Sequence, residues 1–393
     1  MVWRREDPQC NESKKIVWEV ARYLRGRGVD LGAGDFKVLP HAISVDNMHH
    51  AQFGFAMRPD VSADVTNLDM FASQSMDFVY SSHTLEHVED YRATLREWWR
   101  ILKPMGYLVL YLPHKELYPN IGEEGSNPDH KHDFLPDDII NAMPPGWDLV
   151  ENQRRDEDME YSMLLVFRKL YGKKNMRSCD RPRPAKTACV VRYGAFGDLM
   201  QSSSVWAALK KEGYHVTVFS SPPGSDVISH DPNIDDLVLF DKDQVPNGDL
   251  LAFWQWQRKK YDKWVNLSET VEGTFLAMSN RTPFYFNPRA RHKLMNHNYV
   301  EFQHLSAGVP YTLGSKFYPT AEEIAWADKT LRKLRPGPVV LWSLAGSSVH
   351  KTWAGLDNII ASVMVNYPTG KVILTGGPEC VILEYGWDNE PRV

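Results

Sequence analysis

Short runs of apolar residues alternate with amphipathic stretches along nearly the whole 393-residue chain. Residues 92–102 carry their apolar side chains on one helical stripe, and the predicted helix ends before the turn signal Lys103-Pro104-Met105-Gly106. Strands that alternate with helices in this way favour an α/β fold with a parallel sheet. In the first 170 residues the predicted strands are Gly28–Leu31, Ala42–Val45, Met76–Tyr80, Tyr107–Leu112 and Met163–Phe167.

A basic segment separates this region from a second alternating region that begins at Thr187. Residues 168–186 hold eight basic side chains against one acid, which predicts an exposed linker. Such a segment can also bind phosphates or nucleic acid, and composition alone leaves that alternative open. The predicted elements after the linker are strands at Ala188–Arg192, His215–Ser220, Leu237–Phe240, Lys263–Leu267, Phe284–Phe286, Val339–Leu344 and Lys371–Thr375, and a helix at Asp357–Val365.

These patterns predict four parts of the chain. Residues 1–170 would form a first domain, and residues 171–186 the basic linker. Residues 187–335 would form a second domain that ends at a proline- and glycine-rich hinge. Residues 336–393 would then be the beginning of a further domain.

The composition is typical of a globular protein and gives no sign of a nucleic-acid or membrane partner. Apolar residues make up 43% and charged residues 24% of the chain, and the formal net charge is −5. The amino terminus lacks the apolar core of a signal peptide, and apolar runs such as Tyr107–Pro113 are too short to span a membrane. Four scattered cysteines without C-x-x-C spacing are typical of reduced thiols. We therefore expect a cytoplasmic protein without a membrane span or a disulfide frame.

The stretch GVDLGAGDFKVLPHAISVD at residues 28–46 carries the clearest chemical signal. A short apolar strand reaches Asp30 and runs into the turn Gly32-Ala33-Gly34, and a second strand ends on Asp46. A glycine turn lets the backbone approach a nucleotide, and an acid on the next strand binds the ribose hydroxyls. A dinucleotide fingerprint would need a third glycine where Lys37 stands. The alternative is an ordinary turn that uses glycine for its positive φ.

This arrangement resembles motif I of class I S-adenosylmethionine-dependent methyltransferases. Later segments fall in the family's order: residues 62–71, then SMDFVYSSHTLEHVED at 75–90, similar to the type 11 group, then REWWRILKPMGYLVLYLPH at 96–114. The resemblance implies a Rossmann-like domain that binds S-adenosylmethionine, a cofactor without a pyrophosphate and therefore without need of the third glycine. It implies that the cofactor-binding residues are Asp30, Gly32, Ala33, Gly34, Asp46, Asp64, Val65 and Ser82.

Three histidines, His83, His87 and His114, would lie at the carboxyl ends of the fourth and fifth strands, where ligands bind in such sheets. Methyl transfer to an oxygen benefits from a base poised near neutral pH, which favours histidine. We take His83 as the first candidate for the catalytic base and His114 as the second. The alternative for each is a loop histidine with structural hydrogen bonds. His130 and His132 would border the substrate side, in a segment whose usual role in the family is structural.

The segment His83-Thr84-Leu85-Glu86-His87 also fits H-x-x-E-H, an inverted zinc-protease motif in which two histidines bind zinc. That motif needs a helix interior and a distant third ligand, whereas this one directly follows a predicted buried strand. The methyltransferase resemblance accounts for the same residues without a metal. We therefore predict no metal ligands here.

The segment VVRYGAFGDLMQSSSVWAALKKEGYHVTVFSS at residues 190–221 resembles the start of glycosyltransferase family 9, the heptosyltransferase-like enzymes. The resemblance implies a GT-B-like pair of Rossmann domains in which Asp198 is the base for inverting sugar transfer. The alternative is that Asp198 only caps a helix. Residues 339–353 and 372–379 resemble the second Rossmann domain of that family. They imply a nucleotide-sugar donor held by Gly346, Ser347, Lys351, Gly376 and Gly377.

The chain ends about sixteen residues after Gly377, before the strands and the Asp-Ser/Thr-x-x-x-His segment that complete the donor site in that family. Either the sequence is a fragment of a longer protein or this region is degenerate. The leading hypothesis is an S-adenosylmethionine-dependent methyltransferase, acting on an oxygen of a glycan or related small molecule, fused to a family 9-like glycosyltransferase region. In the alternative only the methyltransferase is active, and the second half binds sugar nucleotides or glycans. The sequence leaves the oligomeric state open.

Overall fold

The computed structural model describes residues 12–47, 58–157, 160–240, 244–246, 248–270, 286–344, 353, 355–380, 386–387 and 389–393. It divides the chain into two compact units, Met1–Phe317 and Tyr318–Val393. None of the helices among the described residues combines the length and apolar character that a membrane crossing requires.

The first sheet has eight strands in the order β3-β2-β1-β4-β5-β7-β6-β8. Strands β1 to β5 are parallel, whereas β7 is antiparallel to both β5 and β6. The 3-2-1-4-5 order is that of a doubly wound nucleotide-binding fold, in which ligands bind beyond the carboxyl ends of the strands. The elements are α1 (Ser13–Val20), β1 (Gly28–Leu31), β2 (Ile43–Asp46), β3 (Val61–Ser62), β4 (Met76–Ser82), α2 (Tyr91–Ile101), β5 (Leu102–Pro113), α3 (Pro136–Ala142), β6 (Trp147–Arg155), β7 (Ser162–Lys169) and β8 (Met176–Arg177).

Both faces of this sheet are buried. Phe78 and Tyr80 of β4 pack in one apolar cluster with Ile16 of α1, while Val79 packs on the opposite face with Trp98 of α2. A strand buried on both faces needs a continuous apolar run, which is why the central strands could be recognised in the sequence. The predicted α/β, Rossmann-like fold of the first region is confirmed.

The structure differs from the predicted elements at two places in this sheet. The turn signal at residues 103–106 lies within β5, which begins at Leu102, and Met105 there has a positive φ of 67°. The predicted linker also contributes β8, which pairs with β6. Neither β6 nor β8 was predicted, because residues 151–155 in the second half of β6 are all polar and β8 has exposed side chains on a two-residue strand.

A second sheet of four parallel strands follows in the order β11-β10-β9-β12. Its helices cover an apolar core that includes Val190, Leu199 and Trp206. The predicted strand Phe284–Phe286 lies outside the described residues except for its last position. The elements are β9 (Thr187–Val191), α4 (Phe196–Lys211), β10 (His215–Ser220), α5 (Pro222–Ser225), β11 (Asp236–Leu239), α6 (Leu250–Arg258), β12 (Lys263–Asn266), α7 (Leu267–Thr270), α8 (Pro288–Met295) and α9 (Tyr299–Ala307).

Helix α1 joins the two sheets of the first unit. One side of α1 packs on the first sheet, and Trp18 on another side meets the ring of Phe253 in α6 edge to face. Glu19 of the same helix forms an ion pair of 2.8 Å with Lys260. The amino-terminal helix therefore contributes to both cores.

The second unit contains α10 (Ala321–Leu334), β13 (Val339–Ser343), α11 (Leu356–Asn366) and β14 (Lys371–Thr375). The two strands are parallel, and they pack with α11 around Leu356, Ile360 and Val372. A parallel strand pair joined through a helix is the start of a Rossmann-like arrangement. The predicted strands and helix of this region lie within one or two residues of the observed ones.

Candidate functional site

The turn after β1 lies at the carboxyl edge of the first sheet. Gly32 has a φ of +74° and donates its N–H to the carbonyl of Val45 at 2.9 Å. Gly34 also has a positive φ and donates its N–H to Oδ2 of Asp46 at 3.0 Å. The turn is therefore fastened to the end of β2, and its backbone faces the edge where parallel sheets bind ligands.

Asp30 lies beneath this turn. Its side chain is buried, and Oδ2 accepts the N–H of Val38 at 2.7 Å. Burial raises the pKa of Asp30 to about 7, and the charge of Asp46 adds to the rise, against the opposing effects of the Val38 N–H and Lys37. The carboxyl group holds the far end of the turn.

The remaining cofactor-binding residues that the sequence predicts lie beyond or at the ends of β3, β1 and β4. Asp64 is exposed, and Oδ1 accepts hydrogen bonds from the N–H and the hydroxyl of Thr66. Ala33, Val65 and Ser82 are buried. Because β1 to β4 are parallel, the ends of these strands lie along one edge of the sheet.

His83 follows β4 in a left-handed conformation, with φ +47°. Its Nε2 lies 2.9 Å from Oγ of Ser162, and its ring packs edge to face on Tyr161. Burial, together with the positive charge of Lys15, lowers the pKa of His83 to about 3. His83 is therefore a neutral imidazole at physiological pH.

His114 directly follows β5 and is also buried. Its ring Nδ1 accepts the backbone N–H of Glu116 at 3.2 Å, and the backbone N–H of His114 donates to the carbonyl of Tyr161. Burial lowers the pKa of His114, and Arg154 adds to the effect. Both predicted base candidates are thus neutral imidazoles at the carboxyl edge.

Glu86 also lies at this edge, and the sequence patterns did not identify it as a site residue. It lies in the short 3-10 helix Leu85–His87, is 0% exposed, and has its Oε1 3.8–3.9 Å from Nδ1 of His83, Nε2 of His87 and Nε2 of His130. Burial raises the pKa of Glu86 to about 8. The H-x-x-E-H spacing put two of these histidines near Glu86, but His130 is 44 residues away in the chain and only the fold brings it here.

Aromatic side chains enclose the same cluster. The ring of Tyr118 lies 5.3 Å from that of His130 and 4.9 Å from that of Tyr161, centroid to centroid. The hydroxyl of Tyr161 donates to Oε1 of Glu12 at 3.0 Å. These residues come from loops far apart in sequence, and no local pattern marked them.

In the second sheet, Asp198 lies in the first turn of α4. Its Oδ2 accepts the N–H of Ala195 at 2.9 Å, and its Oδ1 forms a 3.0 Å ion pair with Arg192, whose side chain is buried. The carboxylate thus caps the helix and neutralises an arginine.

Two of the predicted donor-binding residues, Gly376 and Gly377, follow β14 in the second unit. The other three, Gly346, Ser347 and Lys351, lie outside the described residues.

Residues 28–110 match a family model described as a methyltransferase domain. The search of the curated proteins found no match. Among solved structures, the chain is similar to a proposed methyltransferase in complex with the Trm112 methyltransferase activator of Haloferax volcanii, at 18% identity over 40% of this chain and 89% of that chain, with a TM-score of 0.33.

Two further solved structures are similar to parts of the chain. An S-adenosylmethionine-dependent methyltransferase from Mesorhizobium loti is 20% identical over 39% of this chain and 97% of that chain, with a TM-score of 0.31. A glycosyl transferase family 9 protein from Veillonella parvula is 16% identical over 51% of this chain and 65% of that chain, with a TM-score of 0.38.

Proposed function

We propose that the first region, in which residues 28–110 match a methyltransferase-domain family model, transfers a methyl group from S-adenosylmethionine to an oxygen of a glycan or related small molecule. The observation that carries the proposal is the glycine turn Gly32-Ala33-Gly34, which Gly34 fastens to Asp46 and which packs against Thr84 in the loop after His83. The glycan is suggested by the neighbouring sugar-transferase-like region, which is an argument from association.

The residues at the edge fit the cofactor. The backbone of the turn Gly32-Ala33-Gly34 would lie against the cofactor, Asp46 would bind its ribose hydroxyls, and Asp64 and Val65 would hold its adenine. Ser82 completes the wall at the end of β4, while Asp30 positions the turn from below through Val38. When bound there, S-adenosylmethionine supplies a methyl group activated by a sulfonium leaving group.

The chain's own task is to align the acceptor and to take up its proton. As the new oxygen–carbon bond forms and the carbon–sulfur bond breaks, the hydroxyl proton must pass to a base. We propose His83 and His114 for this role, since both are neutral and lie at the ends of adjacent strands. A base with a pKa of about 3 has little driving force for this transfer, so His83 needs an acceptor hydroxyl that is already acidified.

Calorimetric titration with S-adenosylhomocysteine tests the cofactor site. We expect one site per chain, weakened at least tenfold by Asp46→Ala, which corresponds to about 1.4 kcal/mol. Asp35→Ala removes an exposed aspartate of the same turn and is the matched control. Absence of binding by the folded wild-type protein would contradict the proposed function.

For the second region we propose that it binds a nucleotide sugar or a glycan and does not catalyse sugar transfer. The carboxylate of Asp198 is already engaged by the Ala195 amide and by Arg192, an arrangement that suits a structural group better than a free base. Thermal-shift screening with nucleotide sugars should raise the melting temperature, and Lys351→Ala should cancel the rise. Turnover of a nucleotide sugar with a glycan acceptor would favour the glycosyltransferase instead.

A further inference from the structure

Three potential ligand atoms converge next to the proposed methyl-transfer site. Oε1 of Glu86, Nε2 of His87 and Nε2 of His130 lie within 4.8 Å of one another. Glu86 follows Thr84 by two residues, and Thr84 lies against Gly32 of the proposed cofactor turn. The cluster is therefore at the same edge of the sheet as the cofactor site.

The backbone fixes this convergence. The N–H groups of Lys131 and His132 donate to the carbonyl of Glu86, at 2.8 and 3.3 Å, which pins the loop that carries His130 onto the 3-10 helix. Nδ1 of His87 lies 3.2 Å from the carbonyl of Asp129. When that nitrogen donates, the lone pair of Nε2 faces Glu86, and metal-binding histidines are commonly oriented by such a hydrogen bond.

Among the residues that the structure describes, no lysine or arginine forms an ion pair with Glu86. Its side chain is completely buried, and neither carboxyl oxygen accepts a hydrogen bond from any other residue that the structure describes. The nearest groups with ring nitrogens are His83, His87 and His130. A buried carboxylate without a partner is costly, and coordination of a cation is one of the ways in which proteins compensate for it.

We propose that Glu86, His87 and His130 bind a divalent transition-metal ion. Two imidazole nitrogens and one carboxylate oxygen suit Zn²⁺ or a similar ion better than Mg²⁺, which prefers oxygen ligands. The side chain of His87 is 26% exposed, so the ion can enter from solvent and retain open positions. The site differs from the H-x-x-E-H alternative, because the carboxylate is a ligand and His130 replaces His83.

The role of the ion rests on the proposed methyltransferase function. An open position on the ion can hold the acceptor oxygen and lower the pKa of its hydroxyl, as bound metals do for water. Nδ1 of His83 lies 3.8 Å from Oε1 of Glu86, so an acceptor hydroxyl held by the ion would lie at the same edge as the proposed base.

Co²⁺ titration of chelator-treated protein, followed by visible absorption, tests the site independently of activity. We expect one saturable Co²⁺ per chain, with affinity reduced at least tenfold in His87→Ala and in His130→Ala, about 1.4 kcal/mol. His132→Ala is the matched control, since His132 lies in the same loop but has its Nε2 2.9 Å from the carbonyl of Val88. Glu86→Gln, nearly identical in shape, replaces the alanine variants if circular dichroism shows that these do not fold.

Two results would overturn the metal site: no saturable Co²⁺ binding by the folded wild-type protein, or equal losses in His132→Ala and His87→Ala. Titration with S-adenosylhomocysteine on the same samples keeps the two proposals apart. Cofactor binding without Co²⁺ binding rejects the metal and retains the methyltransferase function. Selective Co²⁺ binding without cofactor binding supports the metal site and rejects the proposed function.

Discussion

Thr84 lies directly against Gly32, where the loop after β4 meets the turn after β1. A Cβ atom at Gly32 would overlap both Oγ1 and Cγ2 of Thr84. Gly32 also has a φ of +74°, which other residues adopt only with strain. Two independent constraints therefore require glycine at this position, and both come from the geometry of the proposed cofactor site.

We predict that Gly32→Ala lowers stability and abolishes cofactor binding. The positive φ alone costs about 1–2 kcal/mol for a residue with a side chain, and the overlap with Thr84 adds to it. Urea unfolding and titration with S-adenosylhomocysteine measure the two effects. Gly122→Ala is the matched control, because Gly122 also has a positive φ, +87°, but open space around it. Equal losses of stability in both variants would show that the contact with Thr84 does not matter.

The sequence predicted best those features that depend on a single strand or a single turn. β1 has the predicted bounds Gly28–Leu31, since Val29 and Leu31 mark a buried strand directly before the glycine turn. The turn at Gly32 was predicted because its glycine spacing is local. The edge strand β8 could not be predicted, since two exposed residues carry no periodic signal.

The candidate site was predictable only in part, because a sequence pattern reveals contacts between residues that are close together in the chain. His83 and Glu86 lie three residues apart, and their proximity follows from the chain itself. His130 reaches Glu86 only because the backbone of Lys131 bonds to the Glu86 carbonyl across a gap of 45 residues. Long-range contacts of this kind depend on how the loops fold back over the sheet, and a single sequence does not specify them.

Asp30 should make the stability of the protein depend on pH. Its pKa is raised to about 7 in the folded protein, so between about pH 4 and pH 7 the folded state holds a proton that the unfolded chain releases. The contribution of Asp30 to stability therefore falls as the pH rises through this window and is lost above it. Asp30→Asn keeps an acceptor for the Val38 N–H and removes the titration.

We expect Asp30→Asn to gain stability relative to the wild type on going from pH 5 to pH 8, by roughly 3 kcal/mol. Urea unfolding of both proteins at several pH values measures the difference. Asp35→Asn, an exposed change in the same turn, is the matched control. A constant difference between Asp30→Asn and wild type across this range would contradict the prediction.

Asp198 should be important for the stability of the second sheet whether or not the region is catalytic. Asp198→Asn keeps an acceptor for the Ala195 N–H but loses the charge opposite the buried Arg192. Asp198→Ala loses both, and a lost helix cap alone costs about 1 kcal/mol. We expect the order wild type, Asp198→Asn, Asp198→Ala in falling unfolding free energy, measured by circular dichroism in urea. Indistinguishable unfolding curves would mean that neither contact stabilises the fold.

Asp148 should protect the predicted linker from proteolysis at Ser178. This carboxylate is fully buried beneath the segment and accepts both the N–H of Ser178, at 3.0 Å, and its hydroxyl, at 2.9 Å. Ser178→Ala removes one of these bonds, worth about 1 kcal/mol, so local opening should become about fivefold more frequent. Trypsin should then cleave faster after Arg177, as measured by mass spectrometry of timed digests. Cleavage after the exposed Lys173 is the internal control, and an equal increase at both positions would show that the whole segment, rather than the Asp148 contact, had loosened.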